Sequence, residues 1–181
     1  FDLIIGGMVN SSLVPVFSDY TDKDKRDELW HVLSMVLSAA TIVLLGVILV
    51  VELLAPQVAW LVGTVNFTEH GLNDLSVTLI RMTTPAVLFL GIASILTGAL
   101  YALKRFTIPA FIGAAFNGTI VVVALLNPEE IRSLVWGLLL GSVLQVLLQL
   151  PALRDARLRW TLDLKHPAIR RIILLYIPIL A

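Results

Sequence analysis

The chain lacks cysteine altogether, and its 181 residues include only three histidines. Without cysteine there can be no disulfides and no thiolate metal sites. The histidines, His31, His70 and His166, lie in or beside predicted loops and lack the spacing of metal ligands. The sequence contains neither a glycine-rich phosphate loop nor a serine nucleophile elbow, and no basic patch carries interleaved aromatic residues. We therefore expect no enzyme activity, no cofactor, no metal and no nucleic-acid partner.

Charged residues are also scarce, at 14% of the chain, whereas soluble domains contain about 25%. The mean hydropathy is +0.93. A helix needs roughly 20 apolar residues to cross a hydrocarbon core about 30 Å thick. Four stretches of this length carry at most one charge each, and two shorter apolar segments flank them. The four are 33–55, 77–103, 106–127 and 134–153, and the flanking segments are 3–17 and 172–181.

These apolar stretches predict spanning helices rather than strands, because a helix in lipid satisfies its own backbone hydrogen bonds. We predict an all-α polytopic transmembrane bundle of six helices, the first and last truncated because we expect the chain to be a segment of a longer protein. The expected single transmembrane domain is 1–181, with helices at about 1–18, 29–55, 75–103, 106–126, 131–152 and 167–181. Residues 57–74 would form an amphipathic outer loop, since tryptophan and other apolar residues alternate there with polar ones.

The orientation follows from the basic residues, eleven of whose thirteen members fall in alternate gaps between apolar stretches. Loops 18–31, 104–105 and 154–171 hold these eleven and should face the cytoplasm. The other gaps hold Arg81, at the head of its helix, and Arg132. We expect a multi-pass protein of the bacterial cytoplasmic (inner) membrane, with its basic loops held against anionic lipid.

Polar residues inside the predicted spans are few. Gln145 and Gln149 lie four residues apart, just after the small residues Gly137 and Gly141. This pattern favours close helix packing with interhelical hydrogen bonds, and a substrate contact is the alternative. Arg81 lies near the outer end of its helix, so it can reach water by snorkelling or can face a cavity.

Several motifs, taken in order, resemble the MurJ/MviN lipid II flippase family. The segment 96–111, LTGALYALKRFTIPAF, followed by Asn117, is similar to the fourth and fifth helices of that family. Segments 9–20 (VNSSLVPVFSDY) and 141–154 (GSVLQVLLQLPALR) resemble its second and sixth helices, and 162–179 (LDLKHPAIRRIILLYIPI) resembles the beginning of the seventh. Together these segments cover nearly the whole chain.

The resemblance implies membership of the multidrug/oligosaccharidyl-lipid/polysaccharide exporter superfamily, with about fourteen helices in two pseudo-symmetric halves. It further implies that an undecaprenyl-pyrophosphate-linked peptidoglycan precursor, lipid II, moves from the inner to the outer leaflet by alternating access. Expected partners are this precursor, membrane lipids and cell-wall synthesis proteins. The candidate cavity residues are Arg81, which matches a basic position of the family, and Asn10, Ser11 and Asn117.

The chain also departs from the family pattern near its first helix. It has Phe1-Asp2 and Gly6-Gly7 where family members often carry basic residues and an acidic-glycine pair. Two alternatives to lipid II transport therefore stay open. One is a related exporter of other polyprenyl-linked saccharides or of drugs, and the other is a non-transporting membrane scaffold of cell-envelope synthesis.

Overall fold

The computed structural model describes residues 13–61, 72–163, 166–169 and 171–172. Within these ranges the chain is helical and has no strand, and four helices are long and apolar enough to cross a membrane. The predicted fold class, an all-α polytopic helix bundle, is confirmed.

The described residues form five α-helices, three of them preceded or followed by short turns. They are α1 Arg26–Leu53, α2 Ala55–Leu61, α3 Leu72–Ala102, α4 Thr107–Leu126 and α5 Ile131–Gln149. Two 3-10 turns, Lys23–Lys25 and Leu150–Leu153, precede α1 and follow α5, and residues 13–18 are also helical. With a rise of about 1.5 Å per residue, α4 and α5 are each about 30 Å long and match the hydrocarbon core.

Helix α1 begins at Arg26, three residues before the expected start. Asp27 and Glu28 lie in its first turn, where acidic side chains interact favourably with the amino-terminal end of the helix dipole. Loop 18–31 is therefore shorter than the charge pattern indicates, because charged residues at a helix terminus read as loop.

Helix α1 ends at Leu53, and the short helix α2 follows after one residue. Pro56 is the second residue of α2, a first-turn position where the missing N–H of proline is tolerated. The expected outer loop 57–74 thus begins as helix up to Leu61 and ends as the first turn of α3, which starts at Leu72. The intervening residues, 62–71, lie outside the described ranges.

Helix α3 lies at the centre of the described bundle. It packs against α1 on one side and α5 on the other, while α4 packs mainly against α5 and α2 lies against α3. Glycines allow the closest of these approaches. A Cβ added at Gly137 would lie 2.8 Å from the Ile120 Cα, and one at Gly141 would lie 2.9 Å from the Phe116 ring. The small residues singled out in the sequence therefore bring the backbones of α4 and α5 together.

The two ends of the bundle differ in packing. We call the end that carries Arg26, Lys104, Arg105 and 154–159 the basic end, and the opposite one the distal end. The largest fully buried apolar side chains, including Phe17, Leu29, Leu33, Leu96 and Leu100, form one cluster toward the basic end. Apolar side chains in the distal half of α1 are exposed instead, Leu53 by 70%. Such exposure suits a surface whose solvent is lipid.

Candidate functional site

Arg81 lies near the distal end of α3 and faces Glu52 of α1, with 3.9 Å between Arg81 Nε and Glu52 Oε2. Half of the arginine side chain is exposed. An exposed pair at this distance contributes little to stability, on the order of 1 kcal/mol or less. Arg81 is therefore held toward α1 only loosely, and its guanidinium can accept another anionic partner.

The backbone around Arg81 is weakened by Pro85, which lies inside α3. Proline has no N–H, so the carbonyl of Arg81, four residues earlier, loses its normal helical partner. The hydroxyls of Thr83 and Thr84 donate to the carbonyls of Leu79 and Ile80, at 2.7 Å each. Such side-chain bonds to the preceding turn compensate for disturbed backbone bonding and often accompany bends in membrane helices.

Asn117 lies halfway along α4 and is exposed. Its side-chain Nδ2 donates to the carbonyl of Gly113 at 2.8 Å. Cβ atoms placed at Gly113 and Gly118 would meet nothing within 4 Å among the described residues. Helix α4 therefore presents an amide beside small residues on a face that the described bundle leaves open.

The structure does not bring Arg81 and Asn117 together. Both helices have an end at the turn that joins Ala102 to Thr107. At about 1.5 Å per residue, Arg81 lies about 31 Å from that end of α3 and Asn117 about 15 Å from that end of α4. The other two candidates, Asn10 and Ser11, lie outside the described residues.

Gln149 is completely buried, and its amide links α5 to α3. Its Nε2 donates to the carbonyls of Ala93 and Gln145, both at 3.1 Å, and its Oε1 accepts from the Thr97 hydroxyl at 3.2 Å. Both amide hydrogens are used, so the side chain has no donor left for a substrate. These bonds favour the packing interpretation of Gln149.

The turn between α3 and α4 positions an arginine that the sequence marks only as a topological anchor. Lys104 adopts a left-handed conformation with φ 58°, which ends α3. The N–H groups of Lys104 and Arg105 then donate to the carbonyls of Tyr101 and Leu100, at 2.9 and 2.8 Å. This capping arrangement usually places glycine at the left-handed position. It turns the Arg105 side chain toward the segment after α5.

Arg105 binds Asp155 through two hydrogen bonds of 2.8 and 2.9 Å, and it also donates to the carbonyl of Ala152. Arg26 lies 3.9 Å from the same carboxylate. The hydrogen bonds from Arg105 lower the pKa of Asp155, and the carboxylate in turn raises the pKa of Arg105. Asp155 thus joins α1, the α3–α4 turn and the segment after α5. It is the only acidic residue within 154–162, which is the one sequence signal that could have identified it.

Two buried serines of α1 hold the chain that follows Asp155. The backbone N–H of Arg159 donates to Ser34 Oγ at 3.0 Å, and that of Thr161 donates to Ser38 Oγ at 3.3 Å. The serines lie four residues apart and so share one face of α1. Sequence reasoning placed residues 154–163 at the membrane surface but missed their attachment to this helix.

A wide cleft of about 690 Å³ opens at the basic end between residues 13–18, the end of α3 and the start of α4. Its lining is mostly apolar and includes Val14, Tyr101, Phe106 and the backbone turn at Lys104. In the described part of the chain, no group of three or more His, Cys, Asp or Glu residues could hold a metal ion. The chemistry available in these ranges is hydrogen bonding and ion pairing.

Comparison with known proteins places these features in a family. The family described as Lipid II flippase MurJ matches residues 1–181. A relative named "Lipid II flippase MurJ", from Burkholderia cenocepacia, is 27% identical over 95% of this chain and 35% of its own length. A "Probable lipid II flippase MurJ" from Buchnera aphidicola is 25% identical over 82% of this chain and 30% of its own length. The chain thus spans about a third of the length of these relatives. With its apolar spanning helices it is an integral membrane protein, and it belongs to the lipid II flippase MurJ family.

Proposed function

We propose that the protein containing this chain moves lipid II from the inner to the outer leaflet of the bacterial cytoplasmic membrane. The observation that carries the proposal is the family match over all 181 residues. The two relatives described above, which bear the name of this activity, also cover most of the chain. Because the chain spans about a third of their length, the activity belongs to the whole protein and this chain supplies one part of it.

The substrate explains why a helix bundle is needed. Lipid II carries a pyrophosphate and a disaccharide-peptide head group that cannot enter hydrocarbon without losing its hydration. Its polyprenyl tail can stay in the bilayer while the head group crosses through a polar path between two groups of helices. Alternating access by rocking of one half against the other provides such a path.

The packing of α1, α3 and α5 supports a role as one rigid part of that machinery. Buried contacts join α1 to α3, Gln149 joins α3 to α5, and Asp155 connects all three at the basic end. A half that rocks as a unit requires this kind of internal connection, because movement is then confined to its boundary with the other half.

The candidate cavity residues have distinct proposed roles. Arg81 would offer its loosely paired guanidinium to the anionic head group toward the outer leaflet. Asn117 would offer an amide halfway across, from the open face of α4. Asn10 and Ser11 complete the proposed set of polar side chains. The proposed orientation places loops 18–31, 104–105 and 154–171 in the cytoplasm, near the cell-wall synthesis proteins that make the precursor.

The test replaces the resident lipid II flippase of a bacterium, under depletion, with the full-length gene. We expect growth to be restored and newly made lipid II to become accessible to a probe added outside the cell. Full-length protein that reaches the membrane but leaves lipid II inside would contradict the proposal. Growth without exposed lipid II would favour the scaffold alternative. Exposure of another polyprenyl-linked saccharide in place of lipid II would favour the related exporter.

A further inference from the structure

We propose a second binding site, separate from the transport path, in which a cleft at the basic end binds the phosphate of an anionic phospholipid from the adjacent leaflet. The cleft lies between the first turns of α1 and the chain after Asp155, and it has a volume of about 250 Å³. Its lining residues are Asp27, Trp30, His31, Ser34, Arg157 and Arg159. We call it the phosphate cleft.

The walls of the phosphate cleft are fixed to each other. One wall is α1, and Ser34 on that wall accepts the backbone N–H of Arg159 at 3.0 Å. Ser38, one helical turn further, accepts the N–H of Thr161 at 3.3 Å. Because the backbone is tied at alternate residues, Arg157 and Arg159 both line the cleft rather than moving with a free loop. The site is therefore largely formed before a ligand arrives.

The charge of the phosphate cleft suits one phosphodiester. Arg157 and Arg159 form no ion pair with any residue in the described ranges, and the nearby carboxylate of Asp155 is bound by Arg105. Asp27 is the one acidic lining residue, so the two arginines leave an excess of one positive charge. Arginine binds phosphate oxygens through paired N–H groups, which gives geometric selectivity as well as attraction.

The depth of the phosphate cleft points to a lipid rather than a soluble phosphate. Helix α1 has 28 residues and is about 42 Å long, which exceeds the hydrocarbon core by about 12 Å. Ser34 lies eight residues after the start of α1, so it lies about 12 Å along the helix, where the head-group region meets hydrocarbon.

The residues between and beyond the two arginines fit the same boundary. Leu158, Trp160 and Leu162 alternate with the polar residues and are exposed by 42, 70 and 50%. Exposed tryptophan and leucine are favoured where head groups meet acyl chains. A phospholipid can thus place its phosphate against the arginines while its acyl chains contact these apolar side chains.

The experiment measures lipid binding to the full-length protein, purified in detergent, by native mass spectrometry. The probes are dioleoyl phosphatidylglycerol, whose phosphodiester carries one negative charge, and dioleoyl phosphatidylcholine, whose head group is neutral overall. We expect phosphatidylglycerol to bind preferentially. The double variant Arg157→Gln/Arg159→Gln should lose about thirtyfold in affinity for it, since two basic residues near anionic lipid are removed.

The matched control is Arg154→Gln, which removes an exposed arginine of the same segment outside the cleft lining. It should change the affinity by less than about threefold, because one exposed charge is largely screened. Arg157→Lys/Arg159→Lys keeps the charge and should retain most of the preference for phosphatidylglycerol. Melting curves of every variant verify that the protein is folded.

Two results would overturn the proposal. The first is equal loss of phosphatidylglycerol binding in Arg154→Gln and in the double variant, which would indicate general attraction to a basic surface. The second is displacement of phosphatidylglycerol by an equimolar amount of inorganic phosphate, which would assign the cleft to a soluble anion. Neither result depends on lipid II transport, so the proposed function is tested separately.

Discussion

The basic end and the distal end of the bundle are built from helices of similar composition but are held together differently. At the basic end, apolar side chains from α1, α3 and residues 13–18 are buried together, and Asp155 receives two hydrogen bonds from Arg105. At the distal end, the apolar residues of α1 are exposed and the cross-helix ion pair, Glu52 with Arg81, is 3.9 Å long. Hydrophobicity alone therefore does not decide where helices in lipid pack.

The physical reason is that lipid is as apolar as leucine. Burying a leucine against another helix then gains van der Waals contact but little of the driving force that operates in water. Close fit and polar bonds decide which helix faces meet, and both are concentrated toward the basic end and along the axis of α3. The distal end, with fewer such contacts, is the part of this chain that is free to rearrange.

The largest expected effect is loss of the buried cluster. Leu100→Ala removes a fully buried side chain near the basic end and should lower the free energy of unfolding by about 2 to 5 kcal/mol. Leu53→Ala makes the same chemical change at a 70% exposed position of the distal end and should have little effect. Melting curves of the full-length protein in detergent measure the difference. Equal effects at the two positions would remove the distinction between the ends.

An intermediate effect is expected where helices touch. Gly141→Leu inserts a side chain where even a Cβ would lie 2.9 Å from the Phe116 ring and 3.0 Å from its carbonyl oxygen. Overpacking of this kind typically destabilises by about 1 to 3 kcal/mol.

The control for this variant is Gly46→Leu in the exposed distal half of α1, where a Cβ would meet nothing within 4 Å among the described residues. It should be tolerated, and it can even stabilise the protein because glycine is a poor helix former. Cross-linking between cysteines introduced into α4 and α5 reports whether the hairpin itself has opened. A stable, normally cross-linked Gly141→Leu protein would contradict the close contact.

The smallest expected effect concerns the ion pairs. Asp155→Asn should lower stability by about 1 kcal/mol near neutral pH, since the pair is partly exposed. Glu52→Gln, at the distal end, should lower it less, because its partner lies 3.9 Å away.

Acid should abolish the effect of Asp155→Asn. Hydrogen bonds from Arg105 lower the pKa of Asp155 in the folded protein. The stabilisation is therefore fully present above the ordinary aspartate pKa and is lost as the pH falls through the lower folded value, because the unfolded chain takes up the proton first. Melting temperatures of the wild-type and variant proteins should converge as the pH is lowered from about 6 to about 3. A constant difference would show that the carboxylate charge is not responsible.

Much of the fold could be predicted because the relevant signals are local sums. Apolar stretches identify the spanning helices, and the uneven distribution of lysine and arginine brings loops 18–31, 104–105 and 154–163 to one end, where the structure has them. The family was identified from ordered motifs and is confirmed by the match over residues 1–181. The predicted starts of α1 and α3 differ from the observed ones by three residues, since charged first turns resemble loops.

The candidate site was less predictable. Arg81 and Asn117 were selected for their residue type, and the structure places them at different depths on helices that have few contacts with each other. Asp155, Ser34 and Ser38 were not selected, because an aspartate in a basic loop and serines in a helix are common. Their roles depend on residues 50 to 125 positions away along the chain, and no local pattern reports such distances.

Composition and periodic hydrophobicity establish that this protein lives in a membrane, where its helices lie and which end is basic. These properties depend on transfer between water and lipid, which each segment undergoes independently. The rotation of each helix about its axis is different, because lipid accepts every apolar face equally. That Gln149 meets α3, that Gly141 meets Phe116 and that the serines of α1 hold the chain after Asp155 follow from fit and hydrogen bonding between segments, which exist only once the helices have assembled.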